Sequence, residues 1–239
     1  MSEGKLYAVP AAVAAHSWIN NVQYLAMYQR SIDDPEGFWA EQANQFVTWF
    51  KPWDKVLDWD FTKGHIRWFE GAQLNVSYNC LDRHLATRGD QVAIIWEGDN
   101  PKEDRKVTYK ELHEDVCKFA NVLKSLGVKK GDRICIYMPM IPETAVAMLA
   151  CTRVGAIHSI VFGGFSPDSL KDRILDATCN LVITSDEGLR GGRKVPMKAN
   201  IDKALQSTPS VQKTVVVKRT GGNVAWTEGR DVWYHDLMS

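Results

Sequence analysis

From Val92 onward the chain alternates short apolar runs with longer stretches of helical periodicity, and this alternation limits the possible folds more than any other property of the sequence. Residues 92–96, 133–138, 156–162, 181–184 and 214–217 are short and rich in Val and Ile, as buried strands are. Between them lie helix signals. Thr108-Tyr109-Lys110-Glu111 has the capping-box pattern, after which Leu112, Val116, Phe119, Ala120, Leu123 and Leu126 share one helical face and Gly127 supplies a stop. Residues 142–154 read as a helix closed by Gly155, Ser166-Pro167 opens another that runs through Ala177, and residues 196–205 form a third. Apolar strands joined by helices of this length imply right-handed crossovers, so an α/β fold is expected: a mostly parallel sheet with helices on both faces.

The region before residue 70 is different. It holds six of the nine tryptophans (Trp18, Trp39, Trp49, Trp53, Trp59 and Trp68) and shows clear periodicity only over residues 31–50, so it reads as an accessory segment. There Asp33-Asp34-Pro35-Glu36 starts a helix, and Phe38, Trp39, Gln42, Phe46 and Trp49 recur at helical spacing, a pattern of packing rather than of a ligand box.

Composition excludes several functional classes. With 29 basic and 29 acidic residues the net charge is zero, which argues against nucleic acid or an anionic membrane as the main partner. The five cysteines are scattered without a Cys-x-x-Cys pair, so neither a disulfide framework nor a zinc site is encoded, and a reducing cytoplasm is the expected compartment. The Ala/Val-rich stretch near the N-terminus imitates a signal-peptide core, but Glu3, its brevity and Pro10 argue against a cleaved leader. Residues 134–165 are apolar yet contain Pro139, Pro142, Glu143 and Arg153, which disfavours a membrane span. The sequence has no G-x-G-x-x-G after a strand and no G-x-S-x-G elbow. The stretch GLRGGRK fails as a phosphate-binding P-loop because Arg193 stands where the second glycine should be.

Two loops survive these tests, both following predicted strands, where open parallel sheets bind ligands. In Val161-Phe162-Gly163-Gly164-Phe165-Ser166-Pro167 the paired glycines either let backbone approach a ligand or serve a tight turn. The loop 185–198 carries Arg190-Gly191-Gly192-Arg193-Lys194, in which two arginines can turn toward one phosphate. Residues 189–219 hold eight Lys/Arg against a single acid, Asp202, and so predict a positive corner that is either a polyanion site or a solvated surface. RNA is the weaker candidate, since no aromatic RNA-binding motif accompanies these residues.

At these residues the chain resembles the AMP-forming acetyl-CoA synthetases of the adenylate-forming superfamily. The likeness runs through SIDDPEGFWAEQA, IRWFEGAQLNVSYNCLDRHL, the stretch from VTYKELHEDV to GGFSPDSLKDRI, and ITSDEGLRGGRKVPMK. The resemblance implies a two-step ligase: acetate and ATP give acetyl-adenylate and pyrophosphate, and the coenzyme A thiol then displaces AMP. It implies that Arg190, Gly191, Gly192 and Arg193 contact the phosphorylated nucleotide end of coenzyme A, with Phe162, Gly163 and Gly164 beside them. It also implies an accessory segment at 1–85 and the first part of the AMP-binding domain at 86–239.

The family's Ser/Thr/Gly-rich ATP loop and its adenylation lysine have no counterpart in residues 1–239. The chain is therefore expected to be an N-terminal part of a longer synthetase, catalytically silent alone, with the ligands of any Mg2+ outside it. Two other readings stand beside this one: part of a propionyl- or other short-chain acyl-CoA synthetase, and a stand-alone module that binds coenzyme A or a nucleotide without chemistry. Residues 221–239, with Trp226 and Trp233, are expected to be loosely held or to pair with a neighbouring molecule.

Overall fold

A computed structural model describes residues 7–239, so the first six residues of the stretch considered as a leader lie outside the described part. The chain divides into two compact units, Met1–Gln73 and Leu74–Ser239. Among the described residues no helix is long and apolar enough to cross a membrane.

The first unit contains α1 (Ala11–His16), α2 (Asn21–Asp33), α3 (Pro35–Phe46), β1 (Lys55–Asp60) and β2 (His65–Glu70). Helix α2 lies largely before the periodic stretch 31–50, although its start signal is present: the Asn20 side chain accepts from the Gln23 N–H and the Gln23 side chain accepts from the Asn20 N–H, both at 2.9 Å. Asp34 caps α3 on the Gly37 N–H at 3.0 Å, with Pro35 in the first turn as expected. β1 and β2 form an antiparallel hairpin. Much of the tryptophan content condenses here, with Trp49, Trp53 and Phe69 at mutual ring distances of 5.3, 5.4 and 5.0 Å.

The second unit opens with two short helices, α4 (Val76–Cys80) and α5 (Leu85–Arg88), and a hairpin of β3 (Val92–Glu97) and β4 (Asp104–Thr108). Then come α6 (Tyr109–Ser125), β5 (Arg133–Tyr137), α7 (Pro142–Val154), β6 (Ile157–Val161), α8 (Pro167–Ala177) and β7 (Leu181–Ser185). After a small hairpin of β8 (Gly188–Arg190) and β9 (Arg193–Val195) follow α9 (Met197–Leu205), β10 (Lys213–Val217), β11 (Asp231–Trp233) and α10 (Tyr234–Leu237). The expected parallel sheet is present, five strands in the order β11-β10-β7-β5-β6, every pair parallel.

Strand alternation divides the core in two. Ile134 and Ile136 of β5 face α6 and α7 in one apolar layer with Val116, Phe119, Leu123, Val146 and Ala150. Cys135 and Tyr137 face the other side, with Leu170 and Ile174 of α8 and Ile201 of α9. The Thr108 capping box forms as read from the sequence, the Glu111 carboxylate accepting from the Thr108 N–H at 2.7 Å.

Three expectations need correction. β3 is not in the parallel sheet; it pairs antiparallel with β4, because residues 98–103 turn the chain straight back instead of crossing over. The loop 185–198 is not irregular, since Gly188–Arg190 and Arg193–Val195 pair within it. The final stretch is not loose: β11 extends the sheet beside β10, Tyr234 is 9% exposed with its ring 4.9 Å from that of Phe119, and Asp231 is buried in an ion-pair network. Lys198 of the preceding helix and Arg230 of the segment itself supply the countercharge that Asp231 needs.

Candidate functional site

The strand order reverses beside β5. The chain leaves β5 for β6 on one side, then crosses back to place β7 on the other, so crossovers depart in opposite directions from the carboxyl ends of β5 and β7. That crevice is where open α/β sheets place ligands, and both loops singled out from the sequence converge on it.

The turn after β6 is held from below. Tyr137, the last residue of β5, is fully buried; its hydroxyl donates to the carbonyl oxygens of Gly163 at 2.9 Å and Phe165 at 3.3 Å and accepts from Asn200 Nδ2 at 3.1 Å. Burial pushes the Tyr137 phenol up, which keeps the proton on the oxygen that these bonds need. The turn itself closes through the Phe165 N–H on the Phe162 carbonyl at 3.0 Å. Phe162 is left 57% exposed, and the Arg190 guanidinium lies over its ring, 5.1 Å from the centroid. A methyl group at Gly164 would stand 2.7 Å from the Phe162 ring and 3.5 Å from an Arg190 nitrogen, so this glycine leaves room for the stack. Phe162, Gly163, Gly164 and Arg190 are thus brought together.

Arg190 and Arg193 are directly paired residues of the β8–β9 ladder. The loop between them is Gly191-Gly192, with φ of +58° and +72°, the two left-handed residues that a two-residue hairpin turn demands. Among the described residues neither guanidinium forms an ion pair. Like charges facing each other across a ladder destabilise it, and here that cost is retained at the mouth of a switch-point crevice.

The remaining positive corner is smaller than the sequence predicts. Lys194 donates to Glu187 at 2.7 Å, and hydrogen bonds from Lys194 and then Thr220 hold the Glu187 carboxyl below its usual range. Lys198 is 0% exposed and paired with Asp202 at 2.7 Å and Asp231 at 2.8 Å. Arg219 pairs with Glu103 and stacks on Trp96 at 5.4 Å. The acids that neutralise these cations come mostly from outside the 189–219 window, which is why counting along the chain overstated the field.

Three residues of this region carried no motif signal. Besides Tyr137, Asp186 at the end of β7 is buried and accepts the N–H groups of Glu187 (2.7 Å), Arg219 (2.8 Å), Thr220 (3.2 Å) and Gly221 (2.7 Å), tying the mouth of β7 to the turn after β10. The third, Asp99, comes from the β3–β4 hairpin; its two oxygens accept the Gly191 N–H at 2.6 Å and the Gly192 N–H at 2.7 Å.

Residues 81–236 match the family model of the AMP-binding enzymes, and residues 24–80 match that of the acetyl-coenzyme A synthetase N-terminus. The chain is 64% identical over 239 residues to the acetyl-coenzyme A synthetase of Magnetococcus marinus, covering all of this chain and 37% of that protein. It is 58% identical over 238 residues to acetyl-coenzyme A synthetase 2 of Pseudomonas aeruginosa, again covering 100% of this chain and 37% of that protein. Among solved structures, acetoacetyl-CoA synthetase from Streptomyces lividans superposes with a TM-score of 0.82 at 27% identity, over 96% of this chain and 35% of the other. The chain therefore spans little more than a third of the length of these relatives.

Proposed function

We propose, from the premise that this chain belongs to the AMP-binding enzyme family, that it is the N-terminal part of an AMP-forming acetate–CoA ligase and supplies that enzyme's grip on the nucleotide end of coenzyme A. The observation that carries this reading is the facing pair Arg190 and Arg193, held apart by a Gly191-Gly192 turn beside the exposed Phe162 ring. A ribose 3′-phosphate carries nearly two negative charges at neutral pH and accepts bidentate hydrogen bonds from guanidinium groups. Set between the two arginines, it converts their mutual repulsion into attraction. Phe162, Gly163 and Gly164 offer a flat apolar ledge with close backbone access for the adjoining nucleoside.

The reaction proposed for the whole ligase is acetate plus ATP to acetyl-adenylate and pyrophosphate, followed by attack of the coenzyme A thiol with release of AMP; the relatives' names support acetyl-CoA as its product. This chain's residues act at the handle of coenzyme A and not at its thiol. Binding energy gathered at the 3′-phosphate is used to place the distant sulfur for attack. The groups that surround the ATP phosphates and the acyl carboxylate are assigned to the rest of the ligase, so residues 1–239 alone should catalyse neither step. Mg2+ is implied for the ATP-dependent step. Among the described residues no group of three or more His, Cys, Asp or Glu side chains is placed to hold it. The five cysteines, all free, support a cytoplasmic location.

The test is calorimetric titration with coenzyme A and with 3′-dephospho-coenzyme A. Tighter binding of coenzyme A, lost in Arg190→Ala and Arg193→Ala, is expected. Equal affinity for the two ligands, or no loss in either variant, would refute the assignment. Acetate against propionate in the whole ligase decides the acyl group, a difference of one methylene that is worth about 1–3 kcal/mol in an apolar pocket.

A further inference from the structure

We infer that Asp99 is a positioning residue for the arginine pair, fixing the β8–β9 turn so that both guanidinium groups face a single phosphate; this rests on the coenzyme A reading above. Two strands of three residues each make a hairpin too short to hold its own shape in water. Successive backbone N–H groups in a turn can form a concave anion site. Asp99 fills that site with one carboxylate oxygen on each N–H, at 2.6 and 2.7 Å. With both N–H groups occupied, the turn does not offer them to a ligand, and recognition of a phosphate falls to the side chains of Arg190 and Arg193.

The carboxylate is itself held in place. Asp99 stands at the tip of the β3–β4 hairpin, whose Trp96 indole N–H donates to the Met140 carbonyl at 2.7 Å just beyond β5. Glu103 on the return of the hairpin pairs with Arg219 after β10, and the Arg219 guanidinium covers Trp96. The Gly98 N–H on the Glu103 carbonyl at 2.7 Å closes the hairpin beneath Asp99. One hairpin outside the parallel sheet therefore touches the loops that follow β5, β7 and β10, and Asp99 transmits that rigidity to the turn between the arginines.

The experiment compares Asp99→Ala and Asp99→Asn in the whole ligase, measuring KM for coenzyme A and for 3′-dephospho-coenzyme A together with acetate-dependent pyrophosphate exchange, which needs no coenzyme A. Loss of two charge-assisted bonds at an exposed turn should raise KM for coenzyme A about tenfold in Asp99→Ala. The asparagine variant, whose single amide oxygen can serve one N–H, should fall between it and the unmodified enzyme. KM for 3′-dephospho-coenzyme A and the exchange rate should stay within about twofold of the unmodified enzyme.

An equal rise for both thiol substrates, no rise for either, or tighter coenzyme A binding, which would make Asp99 a competitor of the phosphate, overturns the inference. Arg190→Ala and Arg193→Ala, run in parallel, separate the two ideas. If they abolish discrimination by the 3′-phosphate while Asp99→Ala does not, only the positioning role fails; if they do not, the coenzyme A reading fails with it.

Discussion

Replacing Lys198 by Met tests the buried network that joins α9 to the C-terminal segment. Lys198 is 0% exposed; its ammonium reaches Asp202 at 2.7 Å, Asp231 at 2.8 Å and the Ala225 carbonyl at 3.0 Å. Arg230 is the second cation, bound to Asp231 through Nε at 2.7 Å and also bridging to Asp202. Two carboxylates therefore share two cations. Without Lys198 they share one, and Asp231, whose side chain is 0% exposed, keeps only Arg230 and the Thr227 N–H at 2.8 Å. Removing one partner of a buried pair costs about 3–5 kcal/mol, and the lower end applies because Arg230 remains. For a unit of this size about 3 kcal/mol lowers the melting temperature by roughly 6–12 °C.

The pH dependence adds a second readout. Burial pushes the Asp231 carboxyl up, but hydrogen bonds from Arg230, Lys198 and Thr227 outweigh it and hold the group below its usual range. A depressed carboxyl contributes stability that is present above its unfolded pKa, about 3.9, and is lost as pH falls through the folded value. The Lys198→Met substitution lessens that depression, so the stability gap between the two proteins should narrow below about pH 4. Urea titrations at pH 7 and pH 3.5, with Asp231→Asn and the double variant completing a cycle, measure all of this. A loss under about 1 kcal/mol at pH 7, a gap that does not narrow in acid, or strict additivity in the cycle would refute the reasoning.

Three further outcomes are expected. Tyr137→Phe should destabilise by about 1–3 kcal/mol in urea melts and weaken coenzyme A binding, because it removes the hydroxyl that joins Gly163, Phe165 and Asn200; unchanged values on both counts would discount its role. At the arginine turn Gly191→Asn should be tolerated and Gly192→Ala should cost about 1–2 kcal/mol and lower coenzyme A affinity, since both positions have positive φ but asparagine adopts it far more readily than alanine. With Ellman's reagent the exposed Cys80 should react in the native protein, whereas Cys135 and Cys151, buried and pushed up to about 12, should react only on unfolding.

Elements that follow local rules were legible in the sequence. Thr108 and Glu111, Ser166 and Pro167, and Gly155 write the ends of their helices within a turn of themselves, and the Val/Ile runs of β5 and β7 announce strands buried on both faces. β4 was hidden because Asp104, Arg105 and Lys106 point to solvent, leaving little apolar signal. The β8–β9 hairpin was hidden by its charges, although two glycines between strand-length flanks are a recognised turn signal. Of the candidate site, the Phe-Gly-Gly turn and the arginines could be picked out because glycine and arginine are distinctive in such loops. Tyr137, Asp99 and Asp186 could not, since each acts mainly through backbone groups that carry no side-chain identity. In the sequence Lys198 reads as part of the positive corner, because its partner Asp231 belongs to another element altogether.

The hairpin that carries Asp99 also has a kinetic meaning. Asp99 meets Gly191 and Gly192 across 92 and 93 residues, and Glu103 meets Arg219 across 116. Contacts of such separation must overcome loop-closure entropy and form late. The clamp is therefore expected to seat after the local helices form, when the hairpin, held by Glu103 on Arg219, has met the loops of the sheet. The geometry of the arginine turn thus depends on contacts distant in sequence as well as on its own local sequence. On the coenzyme A reading, a partly made chain is expected to hold that ligand weakly.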